Sequence, residues 1–353
     1  MPALRSRPSG VSVFRGKQRS RLFAVSAAAS LALVAGCSSS SDSAGTDAAG
    51  GEGEYPSQPV SLSVGSEPGS GWDTTARALV EVMQGEDMIP VNITVQNRPG
   101  AVGCVLLNDM VNSKRGEAHD IAMTSTPLFS NEVRGQCDVT YEDITPIARL
   151  LRENFLVAVP ADSPFQDLGD LLDAIKADPT GVPVVAGGDD ALPLALLVKA
   201  AGGDPSTINN VEFESGGETV TAMLNGDVAA SMGGITEFSA QIEAGEFRAL
   251  AILRDERLAA PFDDIPTATE QGYDVTLSNW RGVYGPPEMP AEAVTYWQGK
   301  LEEVTSSPAW AEIVERNQWQ PAFLTGPELA TFLEEEHAQI EEALVSIGEA
   351  ATS

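Results

Sequence analysis

Two histidines and three cysteines are all that this chain of 353 residues offers for soft-metal or nucleophile–base chemistry. His119 and His337 have no second His or Cys at ligand spacing, and both are expected at the surface. Glycine, by contrast, is abundant and clustered. The stretch "SEPGSGWD" (66–73) invites three sharp readings, and each fails on a missing residue. A phosphate loop needs a lysine after the last glycine, and none follows Gly71. A dinucleotide fingerprint needs a third glycine where Thr74 stands. A nucleophile elbow, G-x-S-x-G, is absent. Ser70 and Asp73 do fit the S-x-x-[DE] capping box of a helix start, which leaves room for a ligand on the same turn. With no nucleophile–base pair, catalysis, a metal and a cofactor are not expected.

Similar loops recur: "NRPGAVGC" (97–104), "TSTP" (124–127), "GGDD" (187–190), "ESGGE" (214–218) and "GGITE" (233–237). Each is made of glycine and small polar residues, and most open a helix. The elements around them alternate. "PVSLSV" reads as a strand, and Ala76, Leu79, Val80 and Met83 stand at i, i+3, i+4, i+7 of a helix. "VNITVQN" is a strand, with helical spacing resuming through Val102, Leu106 and Met110. "DIAMT" is a short strand, and "TPIARLL" and "FLVAVP" read as two more, the second closed by Pro160. A second series of helix and strand follows from "LGDLLDAIKA" to "FRALAIL", and the remainder reads as helical and rich in Glu. Such alternation predicts parallel sheets covered by helices. Ligands in open α/β sheets bind beyond the carboxyl ends of strands, where helix N-termini offer free N–H groups. Six such loops over two α/β series predict a cleft between two lobes.

The N-terminus carries six cations before Leu22 and no acid, then the apolar run Leu22 to Gly36. That is the layout of an export signal. Its small-small-Cys ending resembles a lipobox, making Cys37 the lipidated first residue of the mature chain. The apolar-poor run to Ser57 reads as a tether, so residues 1–57 are set apart from the fold. Removing the six leader cations leaves 15 Lys and Arg against 51 Asp and Glu, a net charge of −36. That excess excludes nucleic acid as partner and disfavours docking on anionic lipid. In an oxidising compartment Cys104 and Cys137 favour a structural disulfide over two buried thiols.

Collinear segments carry a resemblance: "PGSGWDTTARAL", "VQNRPGAVG", "DITPIARL", "VAVPADSPFQDLGDLLDAIKADP", "AGEFRALAIL" and "LSNWRGVYGPPEMP". In this order they resemble the extracytoplasmic solute receptors of tripartite tricarboxylate transporters, the Bug family, over essentially all of 57–350. The resemblance implies an α/β, two-lobed type II periplasmic-binding fold with the ligand between lobes. Lobe 1 would be 58–156 plus 255–353 and lobe 2 would be 157–254, with crossings near Val159-Pro160 and Ile252-Leu253. The leader would be 1–36 and the lipidated cysteine and tether 37–57. It further implies a carboxylate held by Gly69, Ser70, Gly71, Trp72 and Asp73 together with Thr124, Ser125 and Thr126. Gly187, Gly188, Gly216, Gly217, Gly233 and Gly234 would close on its other end, with Arg281 as an anion partner or as a structural pairing at the lobe junction. The implied protein is a monomeric, lipid-anchored receptor on the outer face of the membrane. It would capture a tricarboxylate or dicarboxylate for the large and small membrane subunits of a transporter. A sensor presenting its ligand to a membrane receptor is the alternative, and an exported hydrolase a more distant one. Two departures bear on the ligand. Val102 replaces a glycine of the usual P-G-A-G-G loop, and Asp189-Asp190 would repel a multiply charged anion unless Asp190 caps the following helix.

Overall fold

The computed structural model describes residues 55–351 apart from 188, 189, 212, 214 and 215. The predicted leader, Cys37, Gly188 and Asp189 therefore lie outside the described residues. Tyr55, placed in the tether by its sequence surroundings, belongs to the fold. Its hydroxyl donates to the Ala118 carbonyl (2.5 Å) and accepts from Trp297 Nε1 (2.7 Å). An aromatic ring with a polar tip supplies both burial and a hydrogen bond, which the small residues before it cannot.

The first half is built from β1 (Val60–Val64), α1 (Gly71–Gly85), β2 (Ile93–Asn97), α2 (Cys104–Ser113), β3 (Asp120–Thr124) and α3 (Pro127–Val133). β1 lies between β2 and β3, parallel to both. Ala76, Leu79 and Met83 bury the apolar face of α1 against Leu62 and Val64, as the helical spacing predicts. Val102 departs from its expected place. It sits before α2 in a tight turn at φ +49° and is 43% exposed, so the helix begins only at Cys104.

β4 (Thr145–Pro160) is one strand of 16 residues where two were expected. The polar break at Arg152–Asn154 does not interrupt it, because partners flank it throughout. It is followed by α4 (Leu168–Ala177), β5 (Val184–Val185), α5 (Ala191–Ala200), β6 (Asn210–Val211), α6 (Gly216–Asn225), β7 (Ala230–Gly234), α7 (Ile235–Glu243) and β8 (Phe247–Ile252). The segment expected to be helical throughout holds two strands, β9 (Ser278–Gly285) and β10 (Gln320–Leu324), besides α8 (Ala291–Thr305), α9 (Pro308–Arg316) and α10 (Gly326–Ile347).

The sheet is mixed, not parallel throughout. Its order is β2-β1-β3-β9-β4-β7-β5-β6, with β8 and β10 also on β4. The pairs at the two outer ends are parallel, and every pair made by β4 or β9 is antiparallel. β4 changes partners within one peptide bond. Asn154 is the last residue opposite β9, facing Ser278, and Phe155 is the first opposite β7, facing Gly234. The chain returns beside it, where the Leu253 N–H donates to the Phe155 carbonyl.

Each half has its own apolar interior. In the first, Trp297 and Trp310 close over β1, β3 and the start of β4. In the second, Leu171, Ile175 and Leu197 fill one side of the sheet and Met223 and Phe238 the other. Cys104 and Cys137 are disulfide-bonded, with Sγ atoms 2.02 Å apart, tying α2 to the loop after α3. Asp190 stands at the N-cap position of α5 but accepts no capping hydrogen bond, since its backbone is already in the helical region. His119 and His337 are half-buried and not superficial. His337 is held against Phe129 and Tyr141 and lies 3.5 Å from Glu132. Among the described residues no helix is long and apolar enough to cross a membrane.

Candidate functional site

Between β1 and α1 the chain turns on Gly69, at φ +87°, and the Ser70 hydroxyl caps α1 by accepting from the Asp73 N–H (3.3 Å). The reciprocal half of the expected capping box is displaced by one residue. Asp73 accepts from the Gly69 N–H (2.9 Å) and not from Ser70, and it also takes bonds from Arg77 Nε (2.8 Å) and Asn97 Nδ2 (2.9 Å). Burial works to raise the pKa of this carboxyl. The bonds from Arg77, Gly69 and Asn97 outweigh that and hold it below the usual carboxylate range. Asp73 is thus an anchor that fixes the loop through three accepted hydrogen bonds.

Trp72 is also committed. Its Nε1 donates to Ser125 Oγ (2.7 Å), joining the first loop to the "TSTP" turn. Its ring fills a notch left by two glycines: a Cβ on Gly103 would lie 2.7 Å from it and one on Gly65 2.9 Å. Thr124, Ser125 and Thr126 are all buried, and Thr126 donates to Asn279 Oδ1 (3.0 Å). Asn279 is one of the residues that sequence reasoning missed.

Beyond this scaffold the structure gathers a compact charged group. Arg281 on β9 and Glu153 on β4 form an ion pair of 2.7 Å, and the two residues are 6% and 2% exposed. The first turn of α1 rests on this pair. A Cβ on Gly71 would lie 2.5 Å from Arg281 Nη2 and 3.4 Å from Glu153 Oε2. From the other half, a Cβ on Gly234, the N-cap of α7, would lie 2.6 Å from Glu153 Oε1. Thr236 in the first turn of α7 donates to that same oxygen, and Trp319 Nε1 donates to Thr236 (3.1 Å). Glu237 follows. Its Oε2 would stand 3.0 Å from a Cβ on Gly233 and 3.9 Å from one on Gly216, at the start of α6.

Gly71, Gly216, Gly233 and Gly234 therefore converge with Arg281 on one place, from both halves of the sheet. Gly187 and Gly217 face open space, where a Cβ on either would meet no atom within 4 Å. The helix N-termini of α1, α6 and α7 carry the positive ends of their dipoles there. Glu153 takes up part of that field. Arg281 answers Glu153 with one nitrogen only, and its Nε and Nη1 are buried without a hydrogen-bond partner. Burial first, and then the neighbouring Glu153, push the Glu237 carboxyl up to about 7, against the pull of Arg281. Glu153 and Glu237 were absent from the predicted site. The signal for the first was the one acid in the strand-like run from Ile147 to Val159, flanked there by Arg152 and Asn154; the second lay within "GGITE" but carried no motif.

The group can hold and release an anion, but it has no nucleophile beside a base, and no cluster of metal ligands occurs among the described residues. Residues 76–348 match the family described as the tripartite tricarboxylate transporter family receptor, TctC. The chain belongs to that family. It is an extracytoplasmic solute-binding receptor and not an enzyme. The chain is 26% identical to protein BugT of Bordetella pertussis over 290 residues, which cover 80% of this chain and 87% of BugT. It shares its fold with Rpa4515 of Rhodopseudomonas palustris solved with adipate (TM-score 0.77, 19% identity, 84% of this chain and 99% of that one). It does so too with MatC of the same organism solved with malate (TM-score 0.72, 19% identity, 82% and 100%).

Proposed function

We propose that this receptor captures a small dicarboxylate between two lobes, 58–156 plus 255–353 and 157–254, and delivers it to the membrane subunits of a tripartite transporter. Cys37 would carry the lipid that keeps it at the membrane, and the protein would act as a monomer. The observation that carries the ligand class is the buried Arg281 with two unanswered N–H donors at the meeting point of three helix N-termini. A carboxylate oxygen accepts a charge-assisted hydrogen bond from either of these nitrogens, and the contact needs no lysine. Gly71 and Gly234 let two helix N-termini close on the ion pair, while Gly187 and Gly217 face open space. Because Glu153 already neutralises part of the local field, a ligand with three charges would meet more repulsion than one with two. Two fold relatives were solved with adipate and malate, both dicarboxylates, which supports the same choice here.

The test is thermal unfolding of the purified protein against a panel of mono-, di- and tricarboxylates, amines and neutral solutes. A ligand that binds only the folded state at 100 times its Kd adds about 2.7 kcal/mol. A dicarboxylate should give the largest upward shift. Stabilisation by amines or neutral solutes alone would sink the assignment.

A further inference from the structure

Side chains on a strand alternate between its faces, so while Glu153 points toward the helix N-termini, its neighbours Arg152 and Asn154 point behind them. There a cavity of about 360 Å³ opens where β4 changes partners, lined among others by Arg152, Asn154, Arg254, Asp255, Glu256 and Ser278. Three observations mark it as built for something. Asn154 is 1% exposed, and its Nδ2 has no hydrogen-bond partner, an arrangement that costs stability unless a ligand or water accepts the bond. Of the cationic side chains among the described residues, all but three donate a hydrogen bond or join an ion pair. The three are Arg152, Arg254 and Arg316, and two of them line this one cavity. Arg152 otherwise meets the Phe332 ring at 5.7 Å and the fields of Glu336 and Arg149. In a protein with 51 acids to 21 bases, two unpaired arginines in one pocket run against the composition. Finally, the donors are half-buried or buried, whereas Asp255 and Glu256 are exposed at the mouth.

We propose that this cavity is a second anion site, separate from the cleft, taking a small singly charged oxyanion of carboxylate dimensions. Arg152 and Arg254 supply the charge, the Asn154 amide the buried donor, and Asp255 and Glu256 turn away anions of higher charge. Occupancy satisfies the orphaned amide without any movement of Glu153 or Arg281.

The probe is sodium acetate, titrated at fixed pH and ionic strength into the whole protein labelled with 15N-asparagine. The Asn154 side-chain amide, identified by its disappearance in Asn154→Leu, should shift saturably. The melting temperature should rise in parallel, in the native protein and in the cleft variant Gly71→Ala alike. Arg254→Gln breaks no hydrogen bond or ion pair, and Arg152→Gln gives up only its place over Phe332 and its field on Glu336, where Arg149 remains, so both should fold; each should weaken acetate at least about tenfold. Inorganic phosphate should bind more weakly than acetate. The proposal falls if the amide does not move, if the arginine variants leave acetate affinity unchanged, or if phosphate binds more tightly. It falls also if Gly71→Ala abolishes the response, for the acetate would then be reporting the cleft. Failure of the native protein to bind any dicarboxylate, with acetate binding at Asn154 intact, would instead overturn the proposed function and leave this site standing.

Discussion

The two faces of β4 at its change of partners carry the same kinds of residue in opposite conditions. In front, Glu153 and Arg281 are paired, capped by Thr236 and closed over by Gly71 and Gly234. Behind, Arg152, Arg254 and Asn154 line open space; neither arginine is in an ion pair among the described residues, and the Asn154 amide nitrogen has no hydrogen-bond partner. A charge committed to a neighbour is part of the fold, and removing its partner strands it. A charge facing a cavity is available, and removing it costs the fold little. The contrast separates residues that shape a binding place from residues that wait for an occupant.

Breaking the front should have the largest effect. Arg281→Met leaves Glu153 buried and unpaired, and urea unfolding should show a loss of about 3–5 kcal/mol. Adding Glu153→Gln should recover part of it, because the stranded charge is then gone. Equal losses in Arg254→Gln would erase the distinction between the faces. Gly71→Ala and Gly234→Ala come next. Each forces a methyl against the ion pair, at a cost of about 1–3 kcal/mol, with ligand affinity falling alongside stability. Full ligand affinity in both would place the ligand elsewhere.

Glu237 sharpens the comparison through pH. Its pKa in the folded protein is raised to about 7 from 4.5, so the folded state holds a proton that the unfolded chain has lost. Its contribution to stability is therefore complete below about pH 4.5 and disappears as pH rises through about 7. Carboxylate affinity should decline over that same upper range, as Glu237 acquires charge beside the bound anion. Glu237→Gln should flatten both curves, and unchanged slopes would remove Glu237 from the site. Trp72→Phe deletes the bond to Ser125 Oγ and should lower stability by about 1 kcal/mol. Smallest of all, Arg152→Gln and Arg254→Gln should alter stability in ligand-free buffer by less than about 0.5 kcal/mol.

Much of this was legible in the sequence where the signal is local. The helix after "SEPGSGWD" announced itself through its cap and apolar spacing, and the glycine loops marked the strand ends. The placement of Asp73 was harder, because the S-x-x-D spacing is the same whether the carboxylate reaches Ser70 or Gly69. What failed was long-range. β9 was hidden because its strand character depends on β3 and β4, far away in the chain, and "NWRG" has no clean alternation of its own. The ion pair joins residues 128 apart, so nothing in the run around Glu153 named its partner. The cavity behind β4 was equally silent, since a residue's lack of partners cannot be read from its neighbours in sequence.

The unbroken course of β4 also sets a timetable. The strands that flank its second half, β7 and β8, are complete by Ile252, whereas those flanking its first half begin at Ser278 and Gln320. A chain delivered across a membrane N-terminus first can thus close its middle portion while β1 to β3 still lack the antiparallel strand that joins them to β4. The first-made segment of the receptor is the last to be finished, and the exposed edge of β3 must be kept from other chains until β9 arrives.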